Sequence, residues 1–257
     1  MGCASLTPRV PLSPDDPRPA SLLESWKSRA AERDALQALA RFAVDAPGSG
    51  IGGEDLALRI KQRVWLARPA SLRVEVLGFL GTTLAVLTTD GEEYALLQAE
   101  DRRFDSGPVY DGLLWDAARL DLTPEEAVEV MLGAPQPDAD LVRGRAFAED
   151  DRVAIELLDA DGAVRRVVVF GADGLLVRLE ERGRDGARPW RAHFDDYIEV
   201  AGVPFARDVS LESASDARVV VRLSDVQLNP RLEPELFQLA PPSESDARAV
   251  PPEGNRG

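Results

Sequence analysis

The amino-acid sequence predicts a mainly β protein of the α+β class, with one large antiparallel sheet, a helix before it and a helical insertion within it. Three observations support this prediction. Apolar and polar residues alternate with a period of two over most of the chain. Asp-Gly dipeptides, which allow the positive φ angles of tight hairpins, recur between the alternating runs. Two segments instead show helical spacing and helix-capping residues.

The composition limits the classes of partner. The chain has 257 residues and a formal net charge of −15. This length suits a single domain with a sizeable apolar core. The acidic balance disfavours a nucleic-acid partner, because phosphate recognition needs clustered Lys and Arg. It equally disfavours adsorption to an anionic membrane by charge alone, and no run of about 18 apolar residues encodes a spanning helix.

The first segment, residues 1–20, is predicted to be an extended tether because it contains the Pro-rich run PRVPLSPDDPRPAS. Cys3 is the only cysteine, and three interpretations compete for it: an incidental thiol, a neighbour of a myristoylated Gly2, or the acylated cysteine of a bacterial lipoprotein. Myristoylation motifs have Ser or Thr where this chain has Leu6. The lipoprotein interpretation requires a trimmed signal or a start codon assigned too late. We predict a lipid anchor at Cys3, since a Pro-rich tether follows it.

The next segment, residues 21–42, is predicted to be a helix and to begin a single domain that extends to residue 240. Ser21 and Glu24 have the spacing of a capping box. The apolar residues that recur at roughly helical spacing are Leu22, Trp26, Ala30, Leu36, Leu39 and Ala40.

After this helix the period changes to two. The runs LALRIKQRVWLA and SLRVEVLG alternate strictly, with Pro69 between them as a turn, and TLAVLTT and YALLQA continue the pattern. Such alternation indicates antiparallel strands with one buried face. Further runs follow residue 150, for a total on the order of ten strands. The Asp-Gly turns are Asp90-Gly91, Asp161-Gly162, Asp173-Gly174 and Asp185-Gly186.

A helical insertion interrupts the strands at LTPEEAVEVMLGAP. Thr123 is the predicted N-cap, Pro124 the first helical residue, Glu126 the partner in a capping box, and Gly133 the stop. The preceding run DGLLWDAARLD is a shorter helix candidate. At the other end of the chain, residues 241–257 are Pro-rich and polar, which predicts a disordered tail.

The titratable residues form no recognisable catalytic or metal-binding motif. The only histidine, His193, shares a predicted strand face with Arg191 and Asp195, which is typical of a surface hydrogen bond. Asp195 and Asp196 are adjacent on a strand and therefore point to opposite faces. We predict a binding protein with no catalytic residues, no metal and no cofactor. A hydrolase that uses scattered carboxylates is an alternative.

Two glycine-rich segments have different interpretations. The run GSGIGG at 48–53 lacks the spacing of a phosphate loop and is interpreted as a flexible hairpin loop. In GFLGTT, Phe79 and Leu80 lie between Gly78 and Gly81, where the chain is expected to turn. These two large apolar side chains either fold back and close one end of the sheet or protrude into the solvent. Because the two glycines favour a sharp turn over a continued strand, we predict that both side chains are at least partly exposed.

The whole pattern resembles the LolA/LolB superfamily, which comprises a periplasmic lipoprotein carrier and an outer-membrane lipoprotein receptor. The resemblance covers roughly residues 21 to 240 and is strongest in RVWLARPASLRVEVLGFLGTTLAVLTTDGEEYALL, in LTPEEAVEVMLG, and in the ending FDDYIEVAGVPFARDVSLES with VVVRLSDVQLNPRLEPELFQL. It implies a large curved antiparallel sheet that forms an incomplete β-barrel around an apolar cavity, covered by an inserted helical lid.

The resemblance also implies a function. In the receptor branch an apolar residue protrudes from the loop between the third and fourth strands and assists insertion of cargo into the membrane. Leu80, with Phe79 beside it, matches this position. The implied protein is a LolB-like lipoprotein, expected to be monomeric, at the periplasmic face of the outer membrane. It is anchored through Cys3 and accepts acyl chains of lipids or lipoproteins from a periplasmic carrier.

The alternation predicts which residues line the cavity. The set is Trp26, Leu36, Leu58, Ile60, Val64, Leu72, Val74, Val76, Leu84, Val86 and Met131. Two further alternatives use the same fold: a structural or protein-docking lipoprotein of the envelope with a filled cavity, and a sensor that binds a mislocalised lipoprotein or peptide.

Overall fold

The computed structural model of the chain describes residues 9–46, 48, 56–183, 189–213 and 217–242. They form three helices: α1 (Arg18–Ala31), α2 (Leu113–Ala118) and α3 (Pro124–Met131). The strands of the first half are β1 (Val10–Pro11), β2 (Ala35–Ala46), β3 (Leu56–Ala67), β4 (Ser71–Leu77), β5 (Thr83–Thr89), β6 (Glu93–Gln98) and β7 (Arg103–Pro108). Those of the second half are β8 (Val142–Glu149), β9 (Arg152–Leu158), β10 (Val164–Phe170), β11 (Leu176–Glu181), β12 (Trp190–Val200), β13 (Val203–Ser213) and β14 (Arg218–Leu228).

The described strands form one 14-stranded sheet in the order β1-β8-β9-β10-β11-β12-β13-β14-β2-β3-β4-β5-β6-β7. The pairings between the described strands are antiparallel, and two runs of hairpins, β2 to β7 and β8 to β14, meet where β14 pairs with β2. The curved sheet stays open, because β1 and β7 are its two edges. The helices α2 and α3 lie in the connection between the two runs. The predicted fold class, a mainly β open barrel with an N-terminal helix and an inserted helical lid, is confirmed.

The first predicted helix is wrong in its second half. α1 ends at Ala31, and Ala35–Ala46 is the strand β2. Leu36 and Ala40 fit a helical period, but they are equally compatible with a period of two, and β2 buries its even-numbered side chains. The strand is formed in place of a helix because it lies inside the sheet, where it pairs with β14 on one side and with β3 on the other.

The N-terminal boundary also differs from the prediction. α1 begins at Arg18 after Pro17 and has no side-chain cap, so Ser21 lies inside the helix and does not start it. Before α1, Val10–Pro11 pairs with β8 as the edge strand β1. The ordered body therefore begins before residue 21, whereas Cys3 lies outside the described residues.

The inserted helices agree with the prediction. The Glu126 amide donates to Thr123 Oγ1 over 3.2 Å, and the Thr123 amide donates to Glu126 Oε2 over 2.8 Å, which completes the capping box. Gly133 follows the helix with a φ of +69°, a conformation that favours glycine. The shorter helix predicted before it is α2.

The predicted turns are present where the structure describes them. Gly91, Gly162 and Gly174 all have positive φ, as tight hairpins require. Gly186, most of the 48–53 loop and residues 243–257 of the tail lie outside the described residues. The sheet has four more strands than the predicted ten, because β2 fits a helical period and β1, β7 and β8 lack clear alternation.

A packed core occupies the half of the sheet that α1 covers. Trp26 of α1 is buried and its ring meets that of Phe170 edge-on, with centroids 6.1 Å apart. Phe205 and Leu223 are fully buried in the same cluster. Within the described residues, none of the helices is both long and apolar enough to cross a membrane.

Candidate functional site

An apolar cavity of about 500 Å³ lies between the lid, defined as α2 and α3, and the concave face of β3 to β7. Its wall on the sheet comes from alternating positions: the even-numbered residues of β3 and β4, and every second residue of β5 and β6. This follows from strand geometry, since successive side chains point to opposite faces. The volume falls in the range typical of small-molecule sites.

Seven of the eleven predicted lining residues lie on the wall of this cavity: Leu58, Ile60, Val64, Leu72, Val74, Val76 and Met131. Cross-strand pairing brings them together, because Val64 lies opposite Val74 and Leu66 lies opposite Leu72.

The other four predicted lining residues lie elsewhere. Trp26 and Leu36 are buried in the packed core and do not reach the cavity. Val86 lies opposite Glu75, on the convex face, because Ala85 and Leu87 are the inward residues of β5. The prediction is wrong about which alternate residues of β5 point inward, because apolar residues occupy both faces of this strand. Leu84 is exposed and lies at the register irregularity that follows Val76.

Much of the lid wall is not predicted by the sequence pattern. Leu113 and Leu114 of α2, Leu120 and Leu122 of the following connection, and Ala127 of α3 all face the cavity. The helical spacing in DGLLWDAARLD was recognised, but which of its faces points inward depends on contacts with the sheet.

The cavity is closed at one end and open at the other. Along β3 the wall residues become more exposed from Leu66, at 3% exposure, to Leu58, at 41%. The closed end therefore lies near the β3–β4 turn, and the mouth lies near the opposite ends of these strands. The connection from β4 to β5 is at this mouth, since β4 ends at Leu77 and β5 begins at Thr83.

The connection at the mouth is the apolar turn, residues 78–81. Phe79 and Leu80 are 90% and 89% exposed, so both side chains protrude into the solvent. The turn is tight: the Gly78 amide donates to the Thr82 carbonyl over 2.8 Å, and Leu80 adopts a left-handed φ of +63°. These backbone contacts orient both side chains away from the sheet.

Two tyrosines and two carboxylates mark the edge of the cavity at β6, β7 and α2. Tyr94 donates to Asp105 over 3.3 Å, and Tyr110 donates to Asp116 over 3.0 Å. The two rings are in edge-to-face contact at 5.7 Å. Loss of hydration, followed by the neighbouring carboxylates, raises the pKa of both tyrosines. Both hydroxyls are therefore neutral donors at pH 7.

An arginine joins the lid to the sheet at the closed end. Arg68, after β3, donates from Nε and Nη2 to the two oxygens of Glu129 in α3, over 2.5 and 2.9 Å. It also donates to the carbonyls of Ala30 and Ala134, over 2.8 and 3.2 Å. This bidentate pair holds α3 against both the sheet and the end of α1.

His193 is remote from the cavity. It lies between the inward residues Ala192 and Phe194, so its side chain faces the convex side of the sheet. Partial burial lowers its pKa, followed by smaller effects of neighbouring charges. Within the described residues no cluster of three or more His, Cys, Asp or Glu is placed to hold a metal ion.

Comparison with known proteins identifies the fold. No family model matches the sequence, and no curated protein does. Among solved structures, a LolA superfamily protein from Nitrosomonas europaea matches with a TM-score of 0.56 and 14% identity, over 86% of this chain and 97% of that one. An outer membrane lipoprotein-sorting domain from Vibrio parahaemolyticus gives a TM-score of 0.45 at 12% identity, over 84% and 94%. A DUF1329 family protein from Desulfovibrio piger gives 0.42 at 11% identity, over 87% and 98%. Two observations identify the fold: the open antiparallel barrel with an inserted lid, and the match over nearly the whole length of the Nitrosomonas europaea protein. They show that this chain has the LolA/LolB-like fold.

Proposed function

We propose that the protein binds acyl chains of lipids or lipoproteins in the cavity and that the apolar turn contacts a membrane while a chain enters or leaves. The observation that carries this proposal is the position of the exposed Phe79 and Leu80 beside the mouth of an apolar cavity. The protein acts by binding and release, without a catalytic step.

The wall of the cavity suits hydrocarbon. Most of the side chains that face it are apolar, and burial of each methylene group contributes about 0.8 kcal/mol. A chain of about ten methylene groups therefore gains about 8 kcal/mol, which corresponds to micromolar affinity before the cost of association. The open volume favours this function over a docking protein with a filled cavity.

The apolar turn suits transient insertion into a bilayer. Exposure of two large apolar side chains forgoes about 1.5–3 kcal/mol of burial for each. Exposed apolar groups of this kind commonly mark contact sites. The net charge of −15 disfavours membrane attraction by charge, so the contact is made through the apolar side chains of Phe79 and Leu80.

The finer assignment is a LolB-like lipoprotein at the periplasmic face of the outer membrane, which accepts cargo from a periplasmic carrier and is anchored by acylation of Cys3. The apolar turn supports the receptor assignment, and the Pro-rich sequence after Cys3 supports the anchor. The mass of the N-terminal peptide from a membrane fraction tests the anchor, and an unmodified Cys3 would remove it.

The Leu80→Glu variant tests the membrane role. Because Leu80 makes almost no buried contact, we expect the melting temperature to stay within about 2 °C of wild type. We expect transfer of a bound fluorescent fatty acid to phospholipid vesicles to slow about tenfold, while binding of the fatty acid in solution is unchanged.

Val142→Glu is the matched control, since Val142 is an exposed valine on β8, outside the apolar turn. It should transfer the fatty acid at the wild-type rate. Equal rates for Leu80→Glu and wild type would contradict the membrane role. The absence of fatty-acid binding by the wild type would contradict acyl binding itself.

A further inference from the structure

A row of polar side chains crosses the wall of the cavity. Cross-strand pairing places Gln62 opposite Val76, Val76 opposite Ala85, Ala85 opposite Gln98, and Gln98 opposite Arg103. Residues paired in this way point to the same face of a sheet, and all five line the cavity. The row therefore puts two amides and a guanidinium at one level of a wall that is otherwise mostly apolar.

Gln62 is the buried member of this row. Its exposure is 6%, whereas Gln98 and Arg103 are exposed near the sheet edge. In the part of the chain that the structure describes, no hydrogen bond joins the Gln62 side-chain amide to another residue. The amide is in contact with the open cavity, unlike the fully enclosed atoms without a hydrogen bond, Trp26 Nε1, Arg33 Nε and Arg178 Nε. Each of the other buried polar or charged side chains in the described residues has at least one hydrogen bond: Arg33, Glu75, Thr88, Thr89, Glu149 and Glu156.

An unpaired amide is costly once the cavity is filled with hydrocarbon. In the empty cavity, water that enters through the mouth can pair with Gln62. An alkyl chain displaces this water and offers neither a donor nor an acceptor. A buried amide without a partner is strongly unfavourable, so the best ligand brings a polar group to the level of Gln62.

The depth below Gln62 suits an acyl tail. Two apolar rows lie deeper: Val64 with Val74, and Leu66 with Leu72. The four residue steps from Gln62 to Leu66 span about 13 Å at about 3.3 Å per step. A hydrocarbon tail can occupy this depth while the group that links it to the rest of the molecule lies beside Gln62.

We propose that Gln62 selects acyl esters and amides over plain alkyl chains, with its Nε2 donating to the carbonyl oxygen at the head of the tail. The hydrocarbon fills the deeper rows, and the head group leaves the cavity past Gln98 and Arg103. This inference rests on the proposed acyl-binding function and narrows its ligand class. It assigns Gln62 as a specificity-determining residue.

The test compares two ligands that differ in one carbonyl group: 1-monolauroylglycerol, an ester, and 1-O-dodecylglycerol, the corresponding ether. Each competes for the cavity with a fluorescent fatty acid on the full chain. We expect the wild type to bind the ester about tenfold more tightly than the ether. In Gln62→Leu and in the unbranched Gln62→Met, both ligands should still bind, with a ratio near one.

Gln37→Leu is the matched control, because Gln37 points to the opposite face of the neighbouring strand β2 and does not line the cavity. It should keep the tenfold ratio. A ratio near one in the wild type, or an unchanged ratio in both Gln62 variants, would overturn the inference while acyl binding stands. If the fluorescent fatty acid itself does not bind to the wild type, the proposed function fails as well.

Discussion

At the scale of single residues, the burial of Tyr197 makes the stability of the fold depend on pH. Its hydroxyl donates to the Leu176 carbonyl over 2.6 Å, between β12 and β11. Burial is the main cause that raises the pKa of Tyr197 well above its ordinary value of 10.0, and nearby Arg33 opposes this in part. Because the folded pKa lies above the unfolded value, the unfolded chain ionises first. The stability due to this group is complete below about pH 10 and is lost as the pH rises further.

The variant Tyr197→Phe should separate the contribution of the Tyr197 hydrogen bond from the effect of its ionisation. At pH 7 we expect it to lower the free energy of unfolding by about 1 kcal/mol, the value of one hydrogen bond. Above pH 10 the stability of the wild type should fall more steeply than that of the variant, so the difference between them narrows. Tyr94 and Tyr110 titrate in both proteins and cancel in this comparison. Urea unfolding at several pH values measures the difference, and parallel pH profiles would contradict the assignment.

At the scale of elements, the lid is held mainly by its C-terminal end. Arg33 is fully buried and donates to the carbonyls of Leu132, over 2.9 Å, and Pro204. Burial lowers the pKa of Arg33 to about 10, so it stays charged at pH 7. Arg68 adds the pair with Glu129. Two cations beside the last turn of α3 also complement the negative end of its dipole.

Glu129→Gln should therefore loosen the lid. The change removes the negative charge from a mostly buried bidentate pair, and we expect a loss of about 1–3 kcal/mol in the free energy of unfolding. Amide hydrogen exchange should rise most in α3. Glu125→Gln is the control on the same helix, since Glu125 is exposed, and it should cost less than about 1 kcal/mol. Equal costs for the two variants would show that the Arg68 pair does not hold the lid.

At the scale of the whole molecule, the two halves of the sheet are filled differently. The half next to α1 is packed with large side chains such as Trp26, Phe170 and Phe205. The half from β3 to β7 is covered by the short helices α2 and α3, and the cavity lies beneath them. The side chains of the lid do not fill the space beneath them, which leaves the cavity. A ligand that fills the cavity should therefore stabilise the fold.

A fatty acid at about 100 times its dissociation constant should raise the free energy of unfolding by about 2.7 kcal/mol. For a chain of this size, each kcal/mol raises the melting temperature by about 2–4 °C, so thermal unfolding should shift upward by several degrees. Val74→Trp, which fills the cavity, should abolish the shift. Leu39→Trp, at an exposed position on β2, should retain it. A shift of the same size in Val74→Trp would place the ligand elsewhere.

The sequence by itself determined those features that depend on local chemistry. Strict alternation located β3 and β4 and the inward face that carries Val64 and Val74. Thr123 and Glu126 specified the start of α3, since a capping box involves neighbouring backbone groups only. Gly78 and Gly81 marked a turn, and the exposure of Phe79 and Leu80 followed from it. Each of these outcomes is decided within a few residues of the chain.

Only the tertiary structure decided features that depend on distant partners. Residues 35–46 fit two periods, and pairing with β3 and β14 selected the strand. In β5 both faces carry apolar residues, so the register with β4 determined that Ala85 and Leu87, and not Val86, face the cavity. Gln62 has no local signal, because its burial comes from the lid and from strands that are distant in the sequence. The physical reason is the same in each case: a period of two fixes which residues share a face, and long-range pairing decides what that face meets.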